Sequence, residues 1–251
     1  MSVDITGARI YFTIPILGGI PITETIVNAW VVMLLITGTC IWLTRGMNPR
    51  ASGKRQLAAE WLVNTTTNWV KENMGTGSSS SFFPSFVAAL FSLSAFCSLI
   101  SLVGLYPPTA DLSTTLGWAV TVFIMITATK IKTNKVSGYL KGFTQPVALL
   151  TPLNIISELS TPISMAFRHF GNIASGQVVT ALIYAALALL NHTLFGWLPG
   201  ALGQVLPAVP FAQVGIPAVL SLYFDIFSSF MQAFIFCMLT MNYIAAAAET
   251  D

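Results

Sequence analysis

The segment ELSTPISMAFRHFGNIASGQ (residues 158–177) decides how this chain is read. It places Arg168 among apolar and small residues, and 56 uncharged residues (169–224) separate that arginine from the next charged one, Asp225. A membrane-spanning helix needs about 20 mostly apolar residues, so this gap alone has room for more than one crossing. An arginine at mid-membrane costs roughly 2.5–3.5 kcal/mol on insertion scales. Its presence there calls for a role or a partner.

The rest of the chain agrees. Of 251 residues, 11 are Lys or Arg and 9 are Asp or Glu. That is 8% charged, against roughly 25% in an ordinary soluble domain, with 55% hydrophobic residues. The polar surface a soluble enzyme needs cannot be assembled from this composition. A disordered chain is excluded by the same hydrophobicity, and a nucleic-acid binder by a net charge of only +2. Further uncharged runs cover 25–44, 73–110, 112–129 and 226–248. The expected fold is an all-α polytopic membrane protein. It has about five membrane helices, including a long, strongly tilted C-terminal helical hairpin, plus an amphipathic surface helix.

The chain reads as a single membrane domain (1–251) in three parts. Residues 1–24 form an outer N-terminal segment without the apolar h-region of a signal peptide, and Pro15 and Pro21 break any helix there. Residues 25–141 hold the first three spans, at 26–44, 82–106 and 112–129. Between the first two, Leu57, Trp61, Leu62, Thr65, Trp69 and Val70 recur at near-helical spacing. That spacing predicts a helix lying on the membrane surface, followed by a loop over 75–81. Arg45, Arg50, Lys54, Arg55 and Lys71 form one basic segment, and Lys130, Lys132, Lys135 and Lys141 another. Two spans separate them, so both face the cytoplasm, and the N-terminus and the 107–111 turn face outward. Residues 142–251 carry the helices that contain Arg168 and Asp225. There 142–157 is apolar but short for a span and interrupted by Pro146 and Pro152. Long apolar stretches at 158–190 and 213–248 are joined by a Gly/Pro-rich connection at 196–210. Five spans leave the C-terminus in the cytoplasm. Cys40, Cys97 and Cys237 fall in apolar spans and read as small buried hydrophobes, and no spacing suggests a metal site or a redox pair.

Helical phasing puts Thr161, Ser164, Arg168, Asn172 and Ser175 on one face, beside the small residues Gly171, Ala174 and Gly176. Such a face suits a polar element sliding past it. No acid lies close in sequence to Arg168, which suggests a carboxylate supplied by another subunit. Asp225 is either part of an ion path or a structural partner of Arg168 across the hairpin. Gln232, seven residues on, shares its face on a regular helix. Gln177, nine residues after Arg168, points to the opposite side. His169 is either a packing histidine or a proton relay.

The 158–177 segment resembles the signature helix of subunit a of F-type ATP synthases. PTADL (108–112) is similar to that family's outer turn, and MQAFIFCMLTMNY (231–243) to its last helix. The resemblance covers about residues 25–248. It implies a stator subunit packed against a rotating ring of c subunits, held by the b subunits of the peripheral stalk within the F1Fo complex. Two offset half-channels would pass protons or Na+ to and from the ring. Arg168 matches the essential arginine that separates the half-channels and favours release of the ion from the arriving carboxylate. Asn172 and Gln232 match polar positions near it. Gln177 and Asp225 occupy positions where members often carry an acid paired with a histidine. His169 stands where an aliphatic residue is usual. Glu158 and Ser164 border the cytoplasmic path, and Asp111 marks the outer membrane edge. No cofactor, metal or catalytic site of its own is expected, there being neither a P-loop nor a glycine-rich nucleotide fingerprint. The compact length without a transit peptide points to a bacterial plasma membrane more than to the inner membrane of an organelle. The competing reading is a stand-alone secondary transporter in which Arg168 binds an anionic substrate. The half-repeats such transporters usually show are not found.

Overall fold

The computed structural model describes residues 7–15, 19–47, 53–75, 82–145, 147–195 and 219–248. The connection expected at 196–210 and most of the loop at 75–81 lie outside the described residues.

A short antiparallel hairpin, β1 (Ile10–Ile14) and β2 (Ile20–Thr23), opens the chain. The helices are α1 (Glu24–Thr44), α2 (Lys54–Met74), α3 (Phe82–Leu99), α4 (Leu112–Gly142), α5 (Thr151–Phe195) and α6 (Ser228–Ala248). A π-helical stretch, Leu222–Phe227, leads into α6. Five helical segments are long and apolar enough to cross a membrane: Glu24–Thr44, Phe82–Val103, Leu112–Gly142, Ala148–Leu194 and Val219–Ala248. The chain is an all-α polytopic membrane protein.

Lipid offers no hydrogen bonds, so hydroxyls on these helices fold back onto their own backbone. Thr39, Ser92, Thr121 and Thr129 each donate to the carbonyl four residues earlier. Large apolar side chains such as Leu34, Val103 and Leu149 are exposed, at 73%, 78% and 84%. Only hydrocarbon can cover so many outward-facing groups without aggregation.

The core forms where α3, α4, α5 and α6 meet. Val87 and Leu90 of α3, Val122 and Ile126 of α4, Met165 of α5 and Phe236, Met241 and Ile244 of α6 are buried in one cluster. Ala119, Ala166, Ala233 and Cys237 are each fully buried, and their small size lets the helices approach closely. Cys97 is buried too, whereas Cys40 faces outward from α1, away from the core expected for it.

Polar contacts tie α1 to the 107–111 turn. Thr25 Oγ1 donates to Asp111 Oδ2 at 2.9 Å, and Asn28 Nδ2 to the Tyr106 carbonyl at 2.8 Å. Asp111 also caps α4, its Oδ1 accepting from the Ser113 amide at 2.9 Å. Burial, and the carboxylates of Asp111 and Glu24, raise the pKa of Tyr106 above the ordinary tyrosine value. The start of α1 and of α4 therefore share one end of the bundle, and Arg45 and the α4 lysines lie toward the other. At that basic end, the Arg55 guanidinium stacks over Trp42, 4.7 Å from its ring centroid.

Four expectations change. The N-terminal segment, expected to be merely broken by prolines, forms a β-hairpin, with Pro21 paired opposite Thr13. The third span does not stop at 129: α4 runs through the lysines to Gly142, with one non-helical residue, Lys135 (φ 59). Lysine is a good helix former, so charge marks the edge of the lipid rather than the end of the helix. Pro152 does not interrupt a helix but lies in the first turn of one, where its missing N–H costs nothing. α5 consequently runs for 45 residues, with Pro162 inside it, and reaches about 67 Å at 1.5 Å per residue. A helix so much longer than the bilayer core must tilt or project. Finally, α2 is helical over the span expected, but it is not wholly apart from the bundle. Trp69 stacks on Phe234 of α6, with ring centroids 5.5 Å apart and planes 11° apart, and Val70 is buried, while Leu57 and Trp61 face outward.

Ala119→Leu should lower the midpoint of thermal unfolding in detergent, because overpacking this closed contact costs about 1–3 kcal/mol. Leu34→Ala on the outward face of α1 should leave that midpoint unchanged.

Candidate functional site

α5 has two faces with opposite fates. Met165, Ala166, His169 and Ile173 turn into the core. Ser164, Arg168, Asn172 and Ser175 consequently turn outward and are exposed. Among the described residues Arg168 has neither a hydrogen-bond nor an ion-pair partner. A Cβ added at Gly171 would meet nothing within 4 Å, so the space beside this face is open. Gly176 lies deeper, where an added Cβ would come 3.6 Å from Phe224.

One member of this face is anchored to α6. Asn172 Nδ2 donates to Gln232 Oε1 at 2.6 Å, and Gln232 is itself buried. His169 belongs to the other face. Its Nε2 lies 3.3 Å from Ser94 Oγ, and the rings of Trp118 and Phe236 meet it edge-on at 5.8 and 5.4 Å. It packs three helices together and does not line the exposed polar face.

Asp225 and Gln232 both lie against α5, Gln232 through Asn172 and Asp225 through the cleft it shares with Ala174 and Gln177. Asp225 sits in the π-helical stretch, whose wider turns shift the phase of everything before α6. Its Oδ1 accepts from Ser101 Oγ at 3.4 Å and its Oδ2 from Ser221 Oγ at 2.5 Å. These serines, not Arg168, are its hydrogen-bond partners, so the reading of Asp225 as the structural partner of Arg168 finds no support. Asp225 and Gln177 instead line one cleft of about 690 Å³, with Ser101, Tyr106, Ala174 and Tyr184. This cleft belongs to the end of the bundle that carries the 107–111 turn. Asp111 is not among its lining residues; its carboxylate oxygens cap α4 and hold α1.

A second cleft, of about 600 Å³, lies at the basic end and is lined by Asn134, Tyr139, Lys141 and Asn154, with Lys130 and Glu158. A narrower recess of about 140 Å³ shares Lys130 and Glu158 and adds Phe123, Thr161 and Tyr243. Glu158 is not a free acid: Lys130 Nζ donates to both of its carboxylate oxygens at 2.7 Å.

Arg168 lines none of these clefts. It stands seven residues, about 10 Å along the axis, beyond Thr161, and nine residues, about 13 Å, before Gln177. One helix thus carries a polar recess, an uncovered cation and a second polar cleft in succession.

Sequence reasoning did not single out Lys130, Ser101 or Ser221. Lys130 was legible by phasing, since Phe123, Ile126 and Lys130 fall on one helical face. Ser101 carries no such signal, because it follows α3 in a 3₁₀ turn (Ile100–Val103).

In a cysteine-free background, Gln177→Cys and Asp225→Cys should react with a membrane-impermeant maleimide from one side of the membrane, and Asn154→Cys and Ser157→Cys from the other. Labelling of all four from a single side would contradict the two-ended arrangement.

The family model for the ATP synthase A chain matches residues 26–245. The chain is 31% identical to ATP synthase subunit a of Desulforamulus reducens, over 91% of this chain and 81% of that one. It is also 31% identical to ATP synthase subunit a of Moorella thermoacetica, over 91% and 92%. A sodium-ion-specific ATP synthase subunit a of Propionigenium modestum is 28% identical, over 90% and 74%. With the helix order, the arginine-bearing α5 and the α6 motif in place, the chain belongs to the ATP synthase A chain family.

Proposed function

We propose that this chain is the ion-conducting stator subunit of a bacterial F-type ATP synthase and has no catalytic site of its own. One observation carries the reading. Among the described residues Arg168 stands without a partner on an exposed polar face, between two clefts that belong to opposite ends of the bundle.

The uncovered face of Ser164, Arg168, Asn172 and Ser175 is where a ring of small c subunits would pass. Each ring subunit would present a carboxylate at mid-membrane. A guanidinium keeps its charge, so it draws that carboxylate into its ionised form and never becomes an ion carrier itself. The ion released there leaves by one cleft. The emptied carboxylate moves past Arg168 and is reloaded from the other. Because Arg168 separates the clefts, an ion cannot cross without a turn of the ring. Asn172, held by Gln232, fixes the polar surface one turn from the arginine. Gln177 and Asp225 border the cleft at the 107–111 end, Asp225 being the carboxylate among its described lining residues. Glu158 borders the cleft at the basic end.

The charge pattern supports an orientation with the basic end in the cytoplasm and the N-terminus outside. The outward apolar residues of α2, Leu57 and Trp61, suit lipid and the b subunits of the peripheral stalk. Protons or Na+ are the transported ions, in the direction of ATP synthesis or of ATP-driven pumping. One elementary charge falling through 100 mV releases about 2.3 kcal/mol, so several ions must pass for each ATP. The family assignment leaves a stand-alone anion transporter without support.

Arg168→Ala in the assembled complex should abolish ATP-driven ion pumping in inverted vesicles while the ring and this chain still purify together. Pumping within about twofold of the unaltered complex would refute the proposal.

A further inference from the structure

Lys130 and Glu158 occupy a position that orientation charges do not require. They are the charged residues common to the 600 Å³ cleft at the basic end and the 140 Å³ recess that reaches Thr161, seven residues before Arg168. The pair therefore stands at the throat where the wide cleft and the narrow recess adjoin. It also bridges two helices, Lys130 near the middle of α4 and Glu158 in the third turn of α5. The ammonium is bonded to both carboxylate oxygens, and the side chains remain 31% and 19% exposed. They are dry enough for their charges to act on a passing cation, and wet enough to be reached by one.

We propose that Lys130 is a throughput-setting residue of the cation path at the basic end: paired with Glu158 it makes the throat neutral, and the balance of the pair decides whether cations enter the recess. This rests on the reading of that cleft as one arm of the ion path. The two charges have opposite effects on a cation. Without Glu158 an unpaired ammonium faces the passage, and its repulsion acts over a few ångströms in a medium of reduced dielectric. Without Lys130 an unpaired carboxylate faces it and attracts cations. Lys141 lines the wide cleft and adds positive charge to the first case without offsetting the second. Among the described residues lining the two spaces, Glu158 is the one acid. A purely structural brace behaves differently, because removing either partner then loosens α4 from α5 to a similar degree.

The test is passive ion uptake by vesicles that contain the membrane sector stripped of F1, driven by a potassium diffusion potential. Protons are followed with a pH dye and sodium with radiolabelled Na+. Glu158→Gln should lower the uptake at least about tenfold. Lys130→Gln should raise it. The double variant Lys130→Gln/Glu158→Gln should return to within about threefold of the unaltered protein, although it lacks the ion pair. Equal uptake in all three variants would overturn the proposal, as would parallel losses in both single variants with no recovery in the double one. Uptake by the unaltered protein that persists when the ring carboxylate is blocked with a carbodiimide would instead refute the stator reading itself. The two failures are therefore told apart.

Discussion

Arg168, set in a long apolar helix and without a partner among the described residues, is the constraint on which this structure depends. A charge in a low-dielectric medium must be paired or solvated, and Arg168 meets no described carboxylate. The fold does not relieve this; it preserves it. Met165, Ala166, His169 and Ile173 bury one side of α5 against α4 and α6, which fixes the azimuth of the helix and leaves Ser164, Arg168 and Asn172 facing out. The packing core thus serves the site by orientation. Ser94, Trp118 and Phe236 around His169 set where the next residue back, Arg168, points.

α6 completes the arrangement at two depths. Through Gln232 it holds Asn172, one turn from the arginine. In the π-helical stretch before it, Asp225 accepts from Ser101 and lines the cleft shared with Gln177. Local departures of this kind recur at functional sites.

Much of this was legible in the sequence, for an identifiable reason. Charged residues are so expensive in lipid that their absence locates the spans and their rare presence locates the site. Arg168, Asp225 and the exposed stripe of Ser164, Asn172 and Ser175 all follow from that one cost and from the helical period. What was not legible depends on distance along the chain or on backbone irregularity. The pairing of Glu158 with Lys130, 28 residues away, requires α4 to continue as a helix through residues that read as a basic loop. The surroundings of Asp225 depend on a π turn that no residue pattern announces. His169 was ambiguous because its burial is decided by three other helices. Asp111 read as an edge marker; its bonds to Ser113 and Thr25 show that it also joins α1 to α4.

The central claim, that the uncovered face of α5 is the surface a carboxylate-bearing ring passes, has a direct test. Ser164→Cys is placed in the cysteine-free complex together with one cysteine beside the ring carboxylate, and the complex is treated with a mild oxidant. The account predicts a disulfide that stops ATP-driven pumping and is reversed by reductant, and no cross-link when the cysteine is at Leu34 on α1. Cross-linking at Leu34 with none at Ser164 would contradict it.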